Sequence, residues 1–354
     1  MSAEYNARAI DTAKKVAAAR ETRATTTGQA ATNLFPDYNR IPYGVAREYE
    51  RMGQQPVSAG LLERTKARGL TLEHLATTLG TVIHGIDLRK SLDASLIQCL
   101  RDLLLERKVI FFRDQPLTED EHASFARHFG DLDAFPFGRA GENPYCLHIT
   151  HDEKRPGTEN SWHTDVTWMA APSLGSVAQC IEVPPVGGDT LFSDSHASFL
   201  GLRPALQEQI CHLDGINDYR IFIHALPAAL VEDIKAAIPF GVSHPLARTH
   251  PETGKTALYI HGQFLRHSSL TDRRTGEQLD EASARALVAE LLTQHGRPEY
   301  TCRFRWEKDS LAFWDNRAVQ HYATSDYWPH RRVLRRITVS GDKPYYDPTA
   351  DTWR

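Results

Sequence analysis

Apolar and polar positions follow two rhythms along this chain. Between Ser91 and Lys108, leucines stand at 92, 96, 100, 103 and 104. That spacing gathers them on one face of a helix. Val109-Ile110-Phe111-Phe112 follows as a short unbroken apolar run, closed by Arg113-Asp114-Gln115-Pro116. A run of that length predicts a buried strand. Thr118 and Glu121 have the spacing of a capping box, which opens a helix running to Phe129, with Gly130 as its stop. Beyond this point short strands dominate. Ser176–Val183 and Thr190–Phe192 flank the turn Pro184-Pro185-Val186-Gly187-Gly188, and Thr301–Trp306, Leu311–Trp314 and Val333–Ser340 follow. One more helix, Ala282–Gln294, ends at Gly296. Helices early and many short strands late predict a mainly β protein with flanking helices, a sandwich or barrel at its core.

Residues 1–60 break this pattern. Ala3–Arg20 reads as a short polar helix, and Thr25-Thr26-Thr27-Gly28 and Gly53-Gln54-Gln55-Pro56 are linker-like. The division is therefore an N-terminal extension over 1–60, flexible or used in subunit contacts, and one domain over 61–354. The chain is long enough to bury an ample core at 354 residues. Its net charge of −4 excludes a bulk basic field for nucleic acid. Five scattered cysteines without C-x-x-C spacing argue for buried thiols in a reducing, cytoplasmic compartment. No apolar run approaches the roughly 20 residues of a membrane span, and no secretory apolar segment is present.

The chemistry concentrates in Trp162-His163-Thr164-Asp165-Val166-Thr167-Trp168. On an extended segment, side chains two apart share a face, so His163 and Asp165 point the same way. One imidazole and one carboxylate make two of the three ligands of a 2-His-1-carboxylate site, which leaves positions open on non-haem Fe(II). The third ligand must come from a distant histidine, and His321, in Trp314-Asp315-Asn316-Arg317-Ala318-Val319-Gln320-His321, is the candidate. Arginines follow at 331, 332, 335 and 336, interleaved with Val333, Leu334 and Ile337. That interleaving predicts a strand whose buried arginines reach an anion. A second His-x-Asp, His212-Leu213-Asp214, falls in a helical-looking stretch, where i and i+2 diverge, and reads as surface or cap.

Together, Trp-His-Thr-Asp-Val-Thr at 162–167, Gly-Gly-Asp-Thr-Leu at 187–191, Trp-Asp-Asn-Arg and Gln-His-Tyr-Ala within 314–323, and Arg-Arg-Val-Leu-Arg-Arg-Ile-Thr at 331–338 resemble the taurine dioxygenase (TauD-like) family. The likeness runs from about Leu70 to Tyr346. It implies a double-stranded β-helix, or jelly roll, with Fe(II) held by His163, Asp165 and His321. It also implies 2-oxoglutarate as co-substrate and O2 as oxidant, giving succinate, CO2 and a hydroxylated C–H. By the same resemblance Thr190 and Arg332 hold the far carboxylate of 2-oxoglutarate, and a planar guanidinium suits that bidentate task. Arg336, on the same strand face as Arg332, serves the co-substrate or an anionic substrate. Phe135, Glu159, Val166 and Phe264 fall at substrate positions.

Taurine itself fits poorly. Phe135 replaces the sulfonate-binding histidine of taurine dioxygenase, and Glu159 replaces an asparagine. The expected substrate is a small organic anion (sulfonate, sulfate ester or carboxylate), with C–S or C–O cleavage where the oxidised carbon allows it. The family often forms dimers or tetramers, so a homo-oligomer is expected. Two alternatives use the same residues: a zinc hydrolase on the same triad, which would leave Thr190 and Arg332 without a role, and a non-catalytic jelly-roll binding protein, which would be expected to lack an intact triad.

Overall fold

The computed structural model describes residues 3–26, 43–138 and 141–351. Two units result. The first holds the helix Ala3–Thr26, longer than the polar helix read from sequence. The compact unit begins at residue 42, not at 61. Residues 43–60 join it because the helix Tyr43–Arg51 presses on the helix Ser195–Leu200: a Cβ on Gly44 would lie 1.9 Å from the Ala197 carbonyl oxygen. Glu48, on that first helix, is fully buried. Thr27 and Gly28 of the expected linker lie outside the described residues.

Two sheets face each other. The larger runs Thr71–His74, Thr81–His84, Val109–Phe112, Leu311–Asp315, Gly175–Glu182, Arg332–Val339, Leu132–Asp133, and Leu147–His151 also pairs with Arg332–Val339. The smaller has Thr190–Asp194 between Thr301–Phe304 and Val319–Ala323, all antiparallel. Strand alternation divides the larger sheet into two faces. Phe111, Ala178, Ala312 and Trp314 point inward and pack with Phe192, Phe304 and Val319 of the smaller sheet. Phe112, Val177, Phe313 and Ile337 point outward and pack beneath the leucine face of the helix Ala94–Arg107 and beneath Phe125 of the helix Glu119–Arg127. This is the jelly roll buttressed by helices.

Local signals account for the element ends. Asp93 caps the 94–107 helix through Leu96 N, and the Thr118/Glu121 capping box is formed on both sides. The five cysteines are free and buried, as their spacing implied. The second His-x-Asp departs from expectation. The helix there ends at Ile210, and Leu213–Asn217 is a strand against Val242–Pro245. Its polar ends are drawn to other partners, His212 to Glu208 at 2.8 Å and Asp214 to Arg273.

His122, His196, His244 and His295 are among the buried histidines held neutral. Burial pushes His122 and His244 down to about 4, and His196 and His295 to about 3. Their folded values lie below the ordinary value of 6.5, so the unfolded chain binds more protons. Stability is therefore complete above pH 6.5 and falls as the pH drops through that value towards 4. Each such histidine contributes up to about 1.4 kcal/mol per pH unit. Urea midpoints measured from pH 7 to 4.5 should decline steadily. A flat profile would mean that these imidazoles are protonated in the native protein.

Candidate active site

His163 and His321 are brought together by a two-residue bridge at one end of the sandwich. His163 N donates to His321 O at 3.0 Å and His321 N to His163 O at 2.8 Å. The extended backbone expected over 162–168 holds only as far as Thr164, and a turn begins at Asp165. Val166 carries it at φ +51°, a left-handed conformation that a β-branched residue rarely adopts. Such strain costs about 1–3 kcal/mol and clusters at functional sites. Asp165 thereby turns back onto the two histidines. One donor atom from each of His163, Asp165 and His321 falls within 4.8 Å of the others, and all three residues are buried.

This donor set suits a divalent metal. His163 Nδ1 donates to the Ser161 carbonyl at 2.7 Å, which leaves Nε2 as the lone-pair nitrogen. Burial and the nearby His163 hold His321 neutral, down to about 3, and its Nε2 lies 3.9 Å from Asp165 Oδ1. Burial disfavours the Asp165 carboxylate, but the Arg336 charge and the Ser176 hydrogen bond outweigh it and keep it ionised, at about 2. Ser176 Oγ donates to Oδ2 at 2.9 Å, and Arg336 Nη1 to Oδ1 at 2.7 Å. Oδ1 keeps a second lone pair for a metal.

Next to the triad lies an inner cavity lined by Thr190, Trp306, Trp314, His321, Arg332 and Arg336. Arg332, Leu334 and Arg336 all face it, two residues apart along one strand, whereas Arg335 turns to the outer face near Glu119. Arg332 is 3% exposed, its Nε has no hydrogen-bond partner, and no carboxylate pairs with it among the described residues. Burial lowers its pKa, while the Tyr327 hydroxyl and Glu159 favour its charge. Thr190 Oγ1 accepts from Trp306 Nε1 at 2.9 Å and sits 3.4 Å from Arg332 Nη2, leaving its own proton to donate. Gly188 lets the backbone approach, since a Cβ there would lie 3.1 Å from Arg332 Cδ. A buried, unpaired guanidinium is costly unless an anion joins it.

An outer cavity of about 500 Å³ adjoins the inner one and shares His163, Glu159 and Arg336 as lining. Phe135, Val166, Phe222 and Phe264 give it apolar walls, and Glu159 and Arg336 are its charged members besides His163 and Asp165. Arg336 Cζ lies 5.6 Å from the centre of the Phe135 ring, so the aromatic at this position packs on the arginine. All ten residues singled out in the sequence thus line these two cavities. Sequence reasoning missed Ser176, Trp306, Ile221 and Phe222. The last two lie on a short helix, Arg220–Ile223, far from any motif.

A jelly roll with two histidines and a carboxylate at its mouth and a buried arginine behind them defines a class, the metal- and oxo-acid-dependent oxygenases. The chain belongs to the taurine catabolism dioxygenase TauD, TfdA family, whose model matches residues 71–338. It is 32% identical over 281 residues to the alkylsulfatase of Acinetobacter baylyi, covering 77% of this chain and 86% of that one. With the alpha-ketoglutarate-dependent sulfate ester dioxygenase of Pseudomonas putida it shares 32% over 296 residues, 81% and 95% of the two chains. The crystal structure of a taurine dioxygenase from Burkholderia xenovorans superposes with a TM-score of 0.67 at 31% identity, covering 80% and 94%. The protein is accordingly an Fe(II)- and 2-oxoglutarate-dependent dioxygenase that uses O2 on a small molecule. The hydrolase and binding-protein alternatives are not favoured. No helix among the described residues is long and apolar enough to cross a membrane.

Proposed function

We propose that this dioxygenase oxidises a sulfate ester of an apolar alcohol, with sulfonates and carboxylates as the neighbouring choices. His163, Asp165 and His321 would hold the Fe(II). When bound, that ion supplies the oxidising chemistry by which 2-oxoglutarate and O2 become succinate and CO2 while a substrate C–H becomes C–OH. The chain's own residues do the rest. Arg332 and Thr190 grip the far carboxylate of 2-oxoglutarate. Ser176 and Arg336 orient Asp165. Phe135, Val166, Phe222 and Phe264 exclude water and position the apolar body. Hydroxylation of a carbon bearing an ester oxygen gives a product that breaks its C–O bond, releasing an aldehyde and sulfate.

The observation that carries this reading is Arg332, a buried guanidinium without a carboxylate partner, beside a hydroxyl donor and behind the triad. The apolar walls of the outer cavity and the names of the two sulfate-ester relatives support the substrate class. Taurine, small and doubly charged, would leave those walls unfilled. The test is a panel of sulfate esters, sulfonates, aryloxy acids and amino acids, read by succinate formation with Fe(II). Sulfate esters should give the fastest release. Faster release from another class would reassign the cavity.

Arg332→Ala should raise the KM for 2-oxoglutarate by about 10- to 100-fold, the loss of a charge-assisted hydrogen bond. Succinate release at varied 2-oxoglutarate checks this, and an unchanged KM would place the clamp elsewhere. The reading also takes the protein as a cytoplasmic homodimer or tetramer, supported by its unpaired thiols and by the habit of the family. Light scattering measures the assembly.

A further inference from the structure

Behind the proposed co-substrate clamp, three side chains form a continuous polar path to the substrate cavity. His151 and Arg332 are direct partners across antiparallel strands, so their side chains share a face. His151 Nδ1 lies 2.9 Å from the Tyr327 hydroxyl, and His151 Nε2 lies 3.4 Å from Glu159 Oε2. Tyr327 is buried, its ring centre stands 5.8 Å from Arg332 Cζ, and its hydroxyl favours the charge of that guanidinium. Glu159 ends the path, and it lines both the inner and the outer cavity.

The path is built closely. Gly157 lies against it, and a Cβ there would stand 2.7 Å from the Tyr327 hydroxyl and 3.3 Å from His151 Nδ1. Ala323 N donates to the Glu159 carbonyl at 3.3 Å, tying the 152–162 loop to the strand that carries His321. Burial opposes the Glu159 charge, but the His151 imidazole 3.4 Å away holds its carboxyl down to about 2, so the path ends in a negative charge. Glu159 Oε2 is engaged by His151 and by Thr158 N at 3.1 Å, while Oε1 has no hydrogen-bond partner among the described residues.

We propose that Tyr327, His151 and Glu159 are positioning residues that hold Arg332 in register for the carboxylate of the oxo-acid and couple that clamp to occupancy of the outer cavity. None of the three needs to touch the reacting atoms. Arg332 has a long side chain and no carboxylate partner of its own, so its head group needs an outside constraint to stay aimed. The Tyr327 ring beside the guanidinium supplies one, His151 fixes the Tyr327 hydroxyl, and Glu159 faces the imidazole. A substrate that contacts Glu159 acts on the same chain of contacts, and the coupling is reciprocal by linkage.

This inference rests on the assignment of Arg332 as the clamp, and the test separates the two. The probe is N-oxalylglycine, titrated calorimetrically into the full chain loaded with Mn(II). Tyr327→Phe and Glu159→Gln should each weaken its binding by about 3- to 10-fold, as expected for one lost hydrogen bond. The double variant should be no weaker than the worse single one, because residues in one network are not additive. Gly157→Ala, which crowds both the hydroxyl and the imidazole, should shift affinity the same way. In Tyr327→Phe the KM for 2-oxoglutarate should rise while kcat falls far less, a split that general loss of structure would not produce. If the unaltered protein fails to bind the probe, the clamp assignment falls and the relay with it. If it binds, and the variants bind equally well or their effects multiply independently, the relay is wrong and the clamp stands.

Discussion

Asp165→Ala is expected to reduce succinate formation on the order of 10³-fold or more, the scale seen when a member of a catalytic unit is removed. The substitution takes away the only carboxylate of the triad, and two imidazoles alone do not hold a ferrous ion tightly on one face. It also strips Ser176 of its acceptor and leaves Arg336 facing two histidines without a counter-charge. Some of the loss would therefore be structural. Asp165→Asn separates the two effects, because it preserves the volume and the Ser176 contact while removing the charge. Mn(II) affinity measured by calorimetry should fall sharply in both variants, whereas the thermal midpoint should fall mainly in the alanine variant. Near-normal turnover in Asp165→Asn would show that the carboxylate is not a ligand.

Glu48→Ala should cost about 3–5 kcal/mol of stability, the scale for breaking a buried ion pair by removing one partner. Glu48 Oε1 accepts from Lys108 Nζ at 3.0 Å and from Lys255 Nζ at 2.7 Å, and Arg51 lies 3.7 Å from Oε2. Lys108 and Glu48 are wholly buried, and Asp194 at 2.9 Å is the other carboxylate on Lys108. Burial disfavours the Glu48 charge, but the two lysines outweigh it and hold the carboxyl well below the usual carboxylate range. Without Glu48, two lysines share one buried acid. Urea unfolding gives the measurement, with an unchanged m-value showing that the native state keeps its compactness. A loss below about 1 kcal/mol would mean that water or another acid compensates the lysines.

The fold was legible where local rules and tertiary need agree. The leucine spacing of the 94–107 helix, the Thr118/Glu121 box and the apolar run at 109–112 each encode their structure within a few residues. The N-terminal boundary was not legible. Glu48 and Gly44 look like surface residues until Lys108, Lys255 and Ala197, far along the chain, are set against them. The Val319–Ala323 strand was hidden for the same reason, because its pairing with Thr190–Asp194 creates the alternation that its own residues do not display. Lys108, read as the last residue of a helix, instead caps it at φ +66° and is drawn inward by two acids.

At the site, residue chemistry and order pointed to the triad, since few side chains can ligate Fe(II), while the family resemblance pointed to Thr190 and Arg332. Only the tertiary structure decided that Asp165 turns on a strained Val166, that Phe135 packs on Arg336, and that Tyr327 and His151 stand behind Arg332. Those facts depend on which strands become neighbours. Pairing is set by the burial of the whole sandwich, a property that no short stretch of sequence carries.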